Sequence, residues 1–172
     1  MLHADELRLG LRGQVRRVLA PRGVKVVQRV QIEYRWSWLL VGVDPGTGAL
    51  RWAWLERFRQ DPLREVLAGW GPAAVVWDGA GPHRGKRLRD LPGARVALPP
   101  YAPELNPAER VFEEVRRRVE GRVYATLAAK QAEAEALLQE LAADPERVRR
   151  LCGWGWIAAA HAALPPPAGA RP

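Results

Sequence analysis

Cysteine, serine and asparagine are almost missing from this 172-residue chain, which holds one of each: Cys152, Ser37 and Asn106. A single thiol excludes an internal disulfide and a cysteine-rich zinc site, so any metal must be held mainly by oxygen. No apolar run approaches the roughly 18 residues of a membrane span. Asp5, Glu6 and Arg8 already stand near the start, so no signal peptide is expected and a cytoplasmic protein is the default. Acid is also in short supply. Lysine plus arginine number 27 against 19 aspartates and glutamates, giving a net charge of +8 and a pI near 10.7. A surplus of that size favours a polyanionic partner, nucleic acid first, because each neutralised phosphate releases counterions. The dearth of asparagine and serine suits a GC-rich or heat-adapted source.

What is present reads as one globular domain over residues 1–163, followed by a Pro/Ala/Gly-rich tail, 164–172, expected to be disordered. The eight tryptophans lack the basic interleaving of a base-stacking platform and read as core and sheet residues. Leu7, Leu9 and Leu11 alternate at the end of a first strand over 2–11, and Asp5 shares their parity. A basic stretch, 12–23, ends in a turn at Pro21-Arg22-Gly23. The β-branched and aromatic run Val24–Val43 predicts one long strand or a bent pair. Asp44-Pro45-Gly46-Thr47-Gly48 is a hairpin turn leading to a partner strand, Leu50–Phe58. A short helix is expected over 61–69, with Asp61 as cap and Gly69 as stop. Ala73–Trp77 has the continuous apolar character of a strand buried on both faces. A basic helical stretch around Arg84–Asp90 and a strand at Arg95–Leu98 follow. Three helices complete the domain: one capped by Asn106 with Pro107 at its first position, one over 126–142 and a last one over 146–163. Strands first and helices last imply an α/β fold, a mixed sheet flanked by helices.

Three acids stand out. Asp78 closes the buried strand and is followed by glycine-rich backbone, the place where open α/β sheets build their sites; a turn aspartate is the plainer reading. Glu109 lies in the first turn of a helix, where the macrodipole favours an anion whether or not it has a further role. Asp5 lies within a strand, where aspartate is disfavoured, so it is either an edge charge or a ligand. Asp44 is a rival to Asp5, although its Pro-Gly-Thr-Gly sequel explains it as turn chemistry. Glu6 points to the opposite face from Asp5 and is expected to meet solvent or an arginine. Glu104 reads as solvated, and Glu113 and Glu114 are alternatives to Glu109. Gly81 to Arg87 fails as a phosphate loop, since Ala80 takes the first glycine position and Arg87 replaces the hydroxyl residue.

Three blocks carry a resemblance. The first runs from His3-Ala4-Asp5-Glu6 through Ala20-Pro21-Arg22-Gly23 to Val43-Asp44-Pro45-Gly46-Thr47-Gly48. The second is Val75-Val76-Trp77-Asp78-Gly79-Ala80-Gly81-Pro82-His83. The third, and most specific, is Leu98-Pro99-Pro100-Tyr101-Ala102-Pro103-Glu104-Leu105-Asn106-Pro107-Ala108-Glu109-Arg110-Val111-Phe112. In this order they resemble the DDE transposases of the Tc/mariner superfamily, bacterial insertion-sequence branch. That resemblance implies a ribonuclease-H-like fold and an acidic triad, which falls on Asp5, Asp78 and Glu109 as both catalytic and metal-binding residues. Two Mg²⁺ or Mn²⁺ ions are the implied cofactors. The implied reaction is phosphodiester cleavage at transposon DNA ends, then attack of the new 3′-OH on target DNA, with no covalent protein–DNA intermediate. The resemblance also implies a cytoplasmic setting in a prokaryotic cell and no membrane.

The sequence departs from the family pattern in several ways. Glu109 follows Asp78 by 31 residues, slightly short of the usual interval; Gly79 stands where asparagine is common, and Ala102 where serine is. No counterpart of the family's helix-turn-helix region occurs in these residues, so a separate recognition chain is an expected partner, together with DNA and a second copy in a homodimer. The expected DNA-binding residues are His83, Arg84, Lys86, Arg87, Arg116 and Arg117, with Arg89, Arg118 and Arg122 extending the surface. His83 has a competing reading as a loop hydrogen bond. Two other readings stay open: a catalytically inactive DNA-binding remnant or domesticated protein of this fold, and a ribonuclease-H-like nuclease or resolvase.

Overall fold

The computed structural model describes residues 1–13 and 19–163. Part of the basic stretch (14–18) and the expected tail (164–172) lie outside the described residues. The chain runs through strands β1 (Leu2–Gly10), β2 (Trp36–Asp44) and β3 (Ala49–Leu55), helix α1 (Gln60–Trp70) and strands β4 (Ala74–Trp77) and β5 (Ala94–Ala97). Four helices follow: α2 (Ala108–Val119), α3 (Leu127–Ala142), α4 (Pro145–Cys152) and α5 (Gly155–Ala162). The strands form one sheet in the order β3-β2-β1-β4-β5. β1 pairs antiparallel with β2 and parallel with β4, so the sheet is mixed, as the sequence implies.

Alternation along β1 sorts its side chains between two cores. Leu7, Leu9 and Leu11 join the buried stripe of α2 (Ala108, Val111, Phe112, Val115, Val119) and the α3 residues Leu137, Leu138 and Leu141. Ala4, of opposite parity, joins Leu63 and Leu67 of α1, Val75 and Trp77 of β4, and Leu88. Helices therefore cover both faces, and β1 is the central strand from which one face can be addressed independently of the other.

The turn over 44–48 forms as expected: the Asp44 carboxylate accepts hydrogen bonds from the Gly46 and Thr47 amides, and Gly48 adopts φ 75°. A side chain at Gly48 would also run into the Pro145 carbonyl, so only glycine fits. Asp44 is thereby explained by turn chemistry, and it does not line the cleft described below.

Several expectations are corrected. Only residues 36–43 of the Val24–Val43 run form strand, as part of β2; 24–35 has no regular structure, and Val27 and Ile32 are about four-fifths exposed, at 80% and 78%. The Gln31 and Arg35 carbonyls accept isolated hydrogen bonds from Gly13 and Leu11, but no continuous ladder forms along the exposed segment, and β propensity alone does not supply one. Helix α1 begins at Gln60 with Arg59, not Asp61, at the cap, and it passes Gly69 to end at Gly71 in the left-handed conformation, φ 55°. The stretch around Arg84–Asp90 holds only short 3₁₀ turns, Gly81–Arg84 and Lys86–Leu88. The expected last helix is two, α4 and α5, separated at Gly153, whose amide closes α4 on the Arg149 carbonyl. Of the tryptophans, Trp77 is buried, whereas Trp36 and Trp156 are exposed. Among the described residues no helix is long and apolar enough to cross a membrane.

Candidate active site

Asp5 lies in β1, Asp78 immediately follows β4, and Glu109 lies in the first turn of α2. The parallel pairing of β1 with β4, with His3 opposite Val76, sets the first two acids at neighbouring strand positions. The asparagine before α2 draws in the third. The Asn106 side chain accepts from the Ala108 amide, as a cap should, while its Nδ2 donates to the Ala4 carbonyl and to Asp5 Oδ2, both at 3.1 Å. Asn106 is buried and links the start of α2 to the first acid. Sequence reasoning read it only as a cap. Its isolation as the one asparagine in the chain was the available signal.

All three acids line one cleft of about 700 Å³, together with Gly79, Ala80, His83, Arg84, Arg89, Arg95, Tyr101 and Asn106. Asp5 carries the electrostatic mark of this arrangement. Burial pushes its carboxyl up to about 7, the Glu6 amide that donates to Oδ1 opposes this, and the charges of Glu6, Glu109 and Asp78 raise it further. Glu109 has Arg116 at 3.2 Å, and both are about one-third exposed. Among the described residues, no three histidine, cysteine, aspartate or glutamate side chains stand close enough to form a ready metal cage.

Asp78 is held differently. Its Oδ1 accepts from the Ala80 amide at 2.9 Å and lies 2.7 Å from His83 Nδ1. His83 Nε2 is 3.1 Å from each oxygen of Glu6. The imidazole stacks on Trp77 at 4.5 Å between ring centres, with Phe58 edge-on at 5.6 Å. Burial works against the charged imidazole, yet the hydrogen bond and charge of Glu6, with a contribution from Asp78, raise its pKa overall. His83 is turned inward with both nitrogens engaged by protein groups, including the loop hydrogen bond to the Asp78 carbonyl. Glu6 does point away from Asp5, but it meets neither solvent nor arginine: its side chain is 3% exposed against His83.

The basic residues divide into two sets. Arg84, Lys86 and Arg89 are exposed, and none of them is in an ion pair among the described residues; Arg84 and Arg89 line the cleft. Arg95, also on the cleft wall, donates to the Arg89 carbonyl; its placement beside the acids was not visible in the sequence. By contrast Arg87 pairs with Asp61, Arg116 with Glu109, Arg117 with Glu114, Arg118 with Glu140 and Arg122 with Glu133. Glu113 is paired with Arg110, and Glu104 is exposed; neither lines the cleft, and nor does Glu114. A Cβ at Gly79 would come within 2.6 Å of the Arg84 guanidinium, so that arginine fills the room beside Asp78 that a larger residue would need. Tyr101, at the cleft, holds a left-handed φ of 59°, a conformation tyrosine rarely adopts.

The family model for DDE superfamily endonucleases matches residues 1–129, three quarters of the sequence and all three acids. The chain belongs to the DDE superfamily endonucleases. No curated protein sequence matches it. Among solved structures, the Mos1 strand transfer complex is similar with a TM-score of 0.64 at 16% identity, over 88% of this chain and 50% of the other. The Mos1 mariner paired end complex with Mn matches with a TM-score of 0.62 at 11% identity, over 92% and 54%. At such identities the likeness carries the fold, and this DDE endonuclease is ribonuclease-H-like. It spans about half the length of the solved chains it matches.

Proposed function

We propose that this domain is the catalytic part of a DNA transposase, cutting phosphodiester bonds at transposon ends and joining the freed 3′-OH to target DNA. The observation that carries the reading is the meeting of Asp5, Asp78 and Glu109 in one cleft, where Asp5 feels the charge of the other two. Burial is the main reason the Asp5 carboxyl is raised, and the nearby charges of Glu6, Glu109 and Asp78 add to it, so a cation entering the cleft would relieve both costs. An all-oxygen donor set of this kind suits hard divalent cations. We assign Asp5, Asp78 and Glu109 as the ligands of two Mg²⁺ or Mn²⁺ ions; the solved Mos1 complexes with Mg and with Mn support that choice. Such a pair supplies activation of the attacking oxygen and charge compensation at the departing 3′ oxygen.

The chain's own residues do the rest. Asn106 keeps the Asp5 carboxylate oriented by occupying Oδ2, and the Glu6 amide occupies Oδ1. Arg84, Lys86 and Arg89 offer unpaired cations to the DNA backbone beside the acids. Arg87, Arg116 and Arg117 reach phosphate only by exchanging carboxylate partners. Exposed pairs of that kind contribute about 0–1 kcal/mol, so the exchange is easy. End recognition then comes from another module, on the same polypeptide or on a partner chain, and pairing of two ends calls for a homodimer. A cytoplasmic, prokaryotic setting completes the reading.

The test is cleavage of duplex transposon-end DNA with Mg²⁺ or Mn²⁺, alongside RNA–DNA hybrid and four-way junction substrates. Duplex cleavage that is lost in Asp78→Asn is the expected result. Preference for hybrid or junction would make the protein a nuclease or resolvase. DNA binding without cleavage under every condition would make it an inactive DNA-binding protein of this fold.

A further inference from the structure

We propose that Glu6 and His83 are a positioning pair that clamps one oxygen of the Asp78 carboxylate, so that Asp78 presents only its other oxygen to the cleft. This rests on the reading of Asp78 as a metal ligand.

The geometry is specific to the side chain, not merely to the loop. His83 Nδ1 is 3.0 Å from the Asp78 carbonyl and 2.7 Å from Asp78 Oδ1, so it fixes backbone and carboxylate together. The Ala80 amide donates a hydrogen bond to the same Oδ1, while the hydrogen bond of Nδ1 itself goes to the Asp78 carbonyl. Oδ2 takes part in neither contact. With 54% of its side chain exposed, Asp78 would turn freely without this clamp, at a loss of rotamer entropy each time a ligand captured it.

The histidine is itself immobile. Trp77 stacks on one face, 2° from parallel, and Phe58 meets its edge. Behind it stands Glu6, whose two oxygens both lie at 3.1 Å from Nε2. Every atom facing the two ring nitrogens is a hydrogen-bond acceptor. Both nitrogens are thereby engaged, Nδ1 by Asp78 and Nε2 by Glu6. The result is a chain, Glu6 to His83 to Asp78, that crosses from the α1 face of the sheet to the cleft. A carboxylate that orients a histidine which in turn orients a ligand is the usual logic of a second coordination layer, here one residue further out. Glu6 adjoins Asp5 in sequence, so β1 supplies one acid to each side of the site: Asp5 directly and Glu6 through His83.

The test uses the whole domain and Mn²⁺ as probe. Binding is measured by calorimetry and by the free-Mn²⁺ electron paramagnetic resonance signal. Cleavage is then read as metal half-saturation against maximal rate. His83→Leu removes the close Nδ1 contact with Oδ1 and is expected to weaken Mn²⁺ binding by about tenfold or more. The metal half-saturation for cleavage should rise with it. His83→Asn, whose amide N–H can take the place of Nδ1–H, should restore most of the affinity. Glu6→Gln, which keeps an acceptor for Nε2 but loses the charge, should fall between. Wild-type Mn²⁺ affinity in a folded His83→Leu protein overturns the proposal, as does His83→Asn behaving no better than His83→Leu. Should His83→Leu fail to fold, a crystal structure of the wild-type protein with Mn²⁺ decides: Asp78 Oδ1 still on His83 supports the clamp, and a carboxylate rotated away from it sinks the clamp. Asp78→Asn separates the two levels of the argument. If it binds Mn²⁺ normally, the assignment of Asp78 as ligand has failed. If it loses Mn²⁺ while His83→Leu does not, only the clamp has failed.

Discussion

The two faces of the sheet treat a buried carboxylate in opposite ways, although both acids come from the same strand and are neighbours in it. On the α1 face, Glu6 is buried against the His83 imidazole, which stacks on Trp77 and whose pKa Glu6 raises. On the α2 face, Asp5 is met by an amide and by Asn106, which orient it but bring no charge, and it lies near two further anions. Glu6 has its own ring partner within the fold, whereas Asp5 has only neutral donors and anionic neighbours, the balance that the proposed metal role of Asp5 calls for.

The sharpest way to break that contrast is to neutralise the acids on the acting face. Asp5→Asn, Asp78→Asn and Glu109→Gln should each lower metal-dependent cleavage by on the order of 10²–10³-fold or more in a single-turnover assay. Folded, DNA-binding variants that still cleave would remove the assignment.

Next in size is the pH dependence of the metal-free protein. Asp5 sits at about 7 in the fold against 3.8 as a free side chain, so the folded state binds the proton more tightly than the unfolded chain. Its contribution to stability is fully present below pH 3.8 and is lost as pH rises to about 7, at up to about 1.4 kcal/mol per pH unit. Denaturation with urea across that window should show the slope in wild type and a flatter profile in Asp5→Asn. Identical profiles would mean that Asp5 already has a counter-charge. On the opposite face, Glu6→Ala should destabilise by about 1–3 kcal/mol, since it leaves the buried His83 Nε2 without its hydrogen-bond partner.

A smaller effect calibrates a charge that only holds helix to sheet. Glu135 of α3 accepts from both Trp52 and Trp54 Nε1 at 2.8 Å, so Glu135→Ala should lower stability by about 2 kcal/mol. Cleavage should not change, because Glu135 lies outside the cleft. Smallest of all is Ile32→Lys in the exposed 24–35 segment, expected within about 0.5 kcal/mol of wild type in the same urea titration. A large loss there would show that the segment is covered in solution.

Much of the fold was readable because it depends on local signals. Alternating leucines marked β1, the apolar block marked β4, and the 3.6-residue stripe from Ala108 to Val119 marked α2, each as found. The exposed 24–35 segment was misread because β-branched residues report what a strand prefers, not whether a continuous ladder and a covering layer form around it. Asn106 and His83 were half read. Their local roles, as cap and as loop hydrogen-bond partner, follow from neighbours in sequence. Their partners Asp5 and Glu6 lie about a hundred and about eighty residues away.

The sequence alone determined which residues carry charge, which stretches are apolar at what period, and where the three acids stand relative to strand and helix ends. These are properties of short windows, in which sterics and burial act on adjacent residues. Only the tertiary structure decided which acid has a partner beside it, which arginines are already paired, and that His83 lies between Glu6 and Asp78. Those depend on Coulomb and hydrogen-bond distances of a few ångströms between segments far apart in the chain, and nothing within a window specifies them.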